Sequence, residues 1–303
     1  MEKNFEIMKT PKVFGYRYNE FITNDLVLKE LIDNFVFVLE DKLSNENLQL
    51  LYKNLCTLKV NNRNIIYELV TGLFKDNTVT GKYYLDDNTI SIVPLKSKKI
   101  LSKCIGIDIK EYIANLYHEL LHMASSITDK KNDVAYSGLS QIKHFACMGV
   151  SLDDGYTEIL LSRYFNIDEE YISYDYEIII ASLIEKIVSD NRMTYLYFTA
   201  DFYGLVEELQ KYNNKENILK FFNNLDFVYV LQDHIKSYKE DIIYYHNEVS
   251  RFIVDTYINK LNNDIEVGLI NRKQYDIRLD ECINDLHRAF EILEWNMKKE
   301  RKK

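Results

Sequence analysis

The chain has 303 residues, 47% of them hydrophobic and 28% charged, which is the balance of a folded globular protein and excludes a disordered or fibrous one. It carries 38 basic against 47 acidic side chains, a formal charge of −9. A bulk negative field argues against nucleic acid and anionic membrane surfaces as partners. Only 9 glycines and 2 prolines interrupt it, so long helices are expected rather than a many-stranded β architecture.

The opening stretch MEKNFEIMKT lacks the apolar core of a secretory signal, and residues 1–23 have no clear periodicity. Asn24–Leu43 reads as a helix, with Leu26, Leu28, Leu31, Ile32, Phe35 and Val38 at near-helical spacing. Ser44 suits the N-cap of a second helix carrying Leu48, Leu51, Leu55 and Leu58, and Ile65–Phe74 reads as a third. At Gly81 the character changes. GKYYLDDNTISIVP reads as a hairpin: Tyr83–Leu85, a polar turn at Asp86–Asp87–Asn88, then Thr89–Val93 ended by Pro94. Asp108–Ser126 returns to helical periodicity. Residues 127–153 look irregular, with the polar loop TDKKND and a short apolar stretch at Phe145–Val150. Gly155–Phe165 reads as a helix opened by its glycine turn, and the remainder as mostly helical, with Ile242–Leu261 strongly periodic and a last helix from Gln274. The terminal MKKERKK reads as a solvated helix end, where cations suit the dipole.

The four cysteines, Cys56, Cys104, Cys147 and Cys282, form no CxxC pair and imply reduced thiols in a cytoplasmic protein. No apolar run reaches the length of a membrane span. The longest candidate, Tyr176–Val188, is broken by Glu177 and by Glu185–Lys186.

The chemistry concentrates in His118-Glu119-Leu120-Leu121-His122. Residues four apart on a helix lie one turn apart on one face, so two imidazoles can share one ion. Glu119 projects about 100° round the helix from His118, beside such an ion rather than on it, where a base for an activated water is needed. Ile113, Leu116, Leu120 and Met123 form the apolar stripe that buries this helix, which is ordinary core packing. HExxH also arises by chance, and two histidines on a helix are often plain structural residues. A zinc site needs a third protein ligand. Downstream lies Asp153-Asp154-Gly155-Tyr156-Thr157-Glu158, where Glu158 is read in the first turn of a helix, a position equally suited to an exposed, dipole-stabilising glutamate. His144 competes for the same role, whereas His234, His246 and His287 stand alone.

HELLH followed by DDGYTE resembles the glutamate-type zincins (gluzincins), and most closely the branch with an E-G-x-T-E segment found in glycyl-aminopeptidase-like and uncharacterised bacterial peptidases. That resemblance covers residues 81–166 and departs from the family where Asp153-Asp154-Gly155 stands for its frequent Asn-Glu-Gly. It implies one Zn2+ per chain held by His118, His122 and Glu158, with Glu119 as general base. Asp154 is then a candidate partner of a ligand imidazole, and Tyr156 and Tyr176, with Tyr164 and Tyr174 less favoured, are candidate oxyanion donors. It also implies that Thr89, Ile90, Ser91, Ile92 and Val93 form an edge strand along which an extended peptide or protein substrate lies. The expected fold is α+β and predominantly helical: a helical lobe over 1–80, a zincin-like core over 81–166 and a helical lobe over 167–303. Two other readings stay open, a non-catalytic zinc-binding protein on a zincin scaffold, and an all-helical interaction protein in which the motif is accidental. The last predicts no hairpin at 81–94 and no convergence of ligands.

Overall fold

The computed structural model describes residues 26–62, 81–92, 109–143, 146–232, 234–235 and 237–299. The expected helix Ile65–Phe74, the opening residues 1–23, Val93, Cys104 and His144 lie outside them. The fold is α+β and predominantly helical, with ten α-helices and two small sheets among the described residues. The chain divides into two compact units, one built from residues up to Thr128 with Leu160–Ile172, the other from Asp129–Ile159 with the residues from Ser173 onward.

In the first unit, α1 (Leu26–Lys42) buries Leu28, Ile32 and Phe35 of the expected stripe together with Val36 and Leu39, whereas Leu26 is exposed and Leu31 and Val38 are half-buried. α2 (Asn45–Leu55) starts where the sequence indicates, because the Ser44 hydroxyl accepts the Asn47 N–H at 3.3 Å. Three short strands follow: β1 (Lys59–Asn62), β2 (Gly81–Tyr84) and β3 (Thr89–Ile92), in the order β1-β3-β2. β2 and β3 make the expected antiparallel hairpin, with Tyr83 opposite Ile90. The turn is a 3₁₀ stretch, Leu85–Asp87, closed by Asn88 in the left-handed conformation at φ 51°, which asparagine tolerates better than most residues. β1 joins β3 in parallel, a pairing with no sequence signal.

This corrects the substrate-strand expectation. Thr89–Ile92 is the central strand, paired on both sides, so its main-chain groups are committed to β1 and β2 and it has no edge to offer a peptide.

α3 (Ile109–Ala124) carries HELLH. The carboxamide of Asn54 on α2 donates to the carbonyls of Met123 and Ser126, both at 2.7 Å, and so satisfies one carbonyl in the last turn of α3 and one just beyond it. Residues 127–153 are not the irregular stretch that their composition suggests. β4 (Ser126–Asp129), β5 (Val134–Ser137), β6 (Ser140–Lys143) and β7 (Ala146–Met148) form a four-stranded sheet in that order. The strands are too short for their alternation to register, and the β5–β6 turn depends on Gly138 at φ +49° and on the Asp153 carboxylate, which accepts the Leu139 N–H at 2.8 Å.

The sheet leads into α4 (Val150–Phe165), whose residues up to Ile159 belong to the second unit, which continues with α5 (Asp175–Val188), α6 (Asp190–Phe198), α7 (Phe202–Gln210), α8 (Lys215–Gln232), α9 (Lys239–Glu266) and α10 (Arg272–Lys299). Aromatic contacts hold this bundle: Phe221 of α8 stacks on Phe252 of α9 at 4.4 Å, and His246 of α9 lies between Tyr176 of α5 and Phe290 of α10. Among the described residues no helix is long and apolar enough to cross a membrane.

Candidate metal centre

α3 is buried along most of its length, with Leu116, Leu120, Leu121 and Met123 almost wholly inaccessible. Tyr117 anchors it in the first unit, its ring 5.5 Å from Phe35 of α1 and 4.8 Å from Phe165 at the end of α4. Against this apolar support the two histidines stand one turn apart. His118 is buried and His122 half-buried, and their Nε2 atoms are 3.0 Å apart. Two nitrogens on one tetrahedral zinc, each at its usual bond length, sit about 3.3 Å from one another, so the pair is spaced close to what one ion requires. Glu119 projects to the side. Its carboxylate accepts the backbone N–H of Tyr83 at 2.7 Å, which ties the general-base candidate to β2. The hairpin comes close here: a Cβ on Gly81 would lie 3.5 Å from Cγ of Glu119.

α4 begins five residues before the expected Gly155, and the reason is tertiary. Asp226 of α8 accepts the N–H of Gly149 at 2.7 Å and of Ser151 at 2.9 Å, capping α4 from outside its own sequence. Gly155 is therefore inside the helix. A Cβ there would lie 2.4 Å from the Glu177 carbonyl oxygen, so the glycine serves the close crossing of α4 and α5 rather than a turn. Glu158 accordingly sits in the third turn of α4, buried, and not in a first turn favoured by the dipole.

Each of His118, His122 and Asp154 offers one ligand atom, and these atoms all lie within 4.8 Å of one another. The carboxylate that joins the imidazoles in this group is Asp154. Glu158, one turn further along α4, is not a member. Two imidazoles and one carboxylate are a donor set of the open, catalytic kind of zinc site.

The surroundings of Asp154 are acidic. Burial pushes Asp226 up to about 6, with the N–H groups of Ser151 and Gly149 pulling the other way and the Asp154 charge adding to the rise. Burial likewise raises Glu177 to about 7, opposed by a hydrogen bond from Gln232 at 2.6 Å and reinforced by Asp154. Burial, and next the Asp154 charge, raise Tyr229, whose hydroxyl is hydrogen-bonded to Asp154 and to Tyr174. A cation at Asp154 would offset this accumulation of negative charge.

The remaining candidates lie elsewhere. The Tyr156 hydroxyl donates to Glu185 at 2.9 Å and meets Thr194 at 3.1 Å, inside the second unit. The Tyr176 hydroxyl is fully buried against Nδ1 of His246 at 3.3 Å. His234 and His287 are exposed, and neither they nor His246 joins the group. Asp226 and Tyr229 have no local signal; they become visible only once α8 is seen against α4. Asp154 carried a signal, since Asp154 and Glu158 are four apart and on a helix share a face.

No protein-family model, no curated protein and no solved structure matches the chain.

Proposed function

We propose that the chain is a zinc-dependent peptide hydrolase, with one ion held by His118, His122 and Asp154 and with Glu119 as general base. The observation that carries this reading is the grouping of two imidazoles and a carboxylate within 4.8 Å, with Glu119 next to one of those imidazoles on the same helix. When bound, zinc supplies acidification of water and polarisation of a carbonyl. The chain's own residues do the rest. Glu119 takes a proton from the attacking water and returns it to the leaving amine, the two roles of a carboxylate general base and acid. Its bond to the Tyr83 N–H at 2.7 Å restrains its rotamers and keeps one oxygen oriented.

The choice of a peptide as substrate rests on β2. Among the described residues β2 has β3 on one side only, and the Tyr83 N–H on its other side points to Glu119. An extended peptide laid along this edge has its main chain beside the base, by strand addition. β2 thus takes the role first expected of Thr89–Val93.

The test is a pair of measurements on Glu119→Gln. The variant retains one zinc per chain by elemental analysis, because Glu119 is not a ligand, and loses cleavage of a mixed peptide library by at least about 100-fold, the scale of general-base catalysis. Cleavage at the wild-type rate by the zinc-loaded variant rules the mechanism out.

A further inference from the structure

The structure assigns to Tyr229, on α8, the positioning of the Asp154 carboxylate for metal binding, an inference that rests on the metal-centre reading above. α8 meets the first turn of α4 through Asp226, which accepts the N–H groups of Gly149 and Ser151 at 2.7 and 2.9 Å. Tyr229 follows Asp226 by three residues and so lies on the same face of α8, one turn on. Asp154 follows Ser151 by three residues and lies one turn on along α4. Two neighbouring turns of α8 therefore address two neighbouring turns of α4. The first contact fixes where the helix starts, and the second brings the Tyr229 hydroxyl to the Asp154 side chain, with which it is hydrogen-bonded.

A phenol suits this task. It donates one hydrogen bond to the carboxylate, which fixes the rotamer, yet it leaves the negative charge intact for the ion, where a lysine or arginine would neutralise it. Tyr229 is itself held. Its hydroxyl also bonds that of Tyr174, and the two rings lie 5.9 Å apart. Tyr174 stands at the head of α5 in the left-handed conformation, at φ 63°. A carboxylate preset in this way loses little rotamer freedom when it takes up a metal.

The experiment uses the full chain and zinc itself. Zinc affinity is measured by competition with a chromophoric chelator, and coordination geometry by the visible spectrum of the cobalt-substituted protein. Tyr229→Phe is expected to weaken zinc binding by about 10-fold or more, the scale of outer-shell partners in metal sites, and to shift the cobalt bands while the metal-free protein melts as wild type. In an Asp154→Ala background the same change is expected to add nothing, since Tyr229 acts through Asp154. Unchanged affinity and cobalt spectrum in Tyr229→Phe overturn the assignment while leaving the metal centre standing. An equal loss with and without Asp154 also overturns it, by exposing a general structural role. Failure of the wild-type chain to bind zinc overturns the metal centre and this inference with it. If Tyr229→Phe does not fold, Tyr174→Phe is the second variant: it removes the hydroxyl that holds Tyr229 and is expected to weaken zinc binding about threefold, on the same outer-shell reasoning. Unchanged affinity there overturns the assignment too.

Discussion

Alanine at position 155 separates two opposite expectations. Read as a helix residue, Gly155 gains from the change, because alanine stabilises a helix interior by about 1 kcal/mol relative to glycine. Read as a contact residue, it loses. The new Cβ would meet the Glu177 carbonyl oxygen at 2.4 Å, its carbon at 2.5 Å and the Glu177 Cβ at 2.9 Å. Two of these atoms are backbone of α5 and cannot rotate away, so α4 and α5 must part by roughly 1 Å to restore ordinary contact. Overpacking of this kind costs about 1–3 kcal/mol, and with backbone as the obstacle the upper end applies. The net expectation is a loss of about 2 kcal/mol, or a fall in Tm of about 4–8 °C for a unit of this size. The assay is thermal unfolding of metal-free Gly155→Ala followed by circular dichroism. A melting temperature equal to or above that of the wild type refutes the close crossing, and with it the explanation of why α4 tolerates a glycine at its centre.

The identity of the third ligand is tested by comparing two alanine variants. Asp154→Ala is expected to lose zinc on dialysis and Glu158→Ala to keep it, measured as metal per chain by elemental analysis; the reverse order would restore the glutamate assignment. Acid stability should depend on His246, which is 5% exposed and held by burial, and by the nearby His287 charge, down to about 4. The unfolded chain binds a proton there that the folded chain refuses, so His246 removes stability as pH falls from about 6.5 towards 4, by up to about 3 kcal/mol. Glu177 has the opposite sign. Its folded value is raised to about 7, so it contributes stability that is full below the ordinary carboxylate range and is lost as pH rises through about 7. Urea unfolding of metal-free protein between pH 5 and about 8 should show a shallower acid-side fall in His246→Gln and a shallower fall towards neutrality in Glu177→Gln. Slopes identical to wild type in both variants would mean that neither group titrates as its burial implies.

What could be read from the sequence was local and repeated. Leu28, Ile32 and Phe35 recur at helical spacing and are buried as expected, and Ser44 caps the following helix through its own side chain. The β-branched run after Asn88 pairs with Gly81–Tyr84 across a short turn. What could not be read depends on residues distant along the chain. β3 takes a central place because Lys59–Asn62 pairs beside it in parallel, a long-range pairing that neither local periodicity nor the zincin resemblance, which implies a free edge there, discloses. α4 starts at Val150 because Asp226 caps it, and without that cap the glycine at 155 reads as the start. The zincin resemblance implies Glu158, whose expected place in a first turn the same five-residue displacement removes. Placed by the true start, Asp154 and Glu158 lie on one face, and it is Asp154 that falls in the group with the imidazoles of α3.

X-ray absorption at the zinc edge of the zinc-loaded wild-type chain addresses the metal centre with no substrate required. The account predicts one zinc per chain with only nitrogen and oxygen in its first shell at about 2.0–2.1 Å, together with the outer-shell scattering of two imidazoles. A first shell containing sulfur, scattering from fewer than two imidazoles, or a folded chain that takes up no zinc at neutral pH would contradict it.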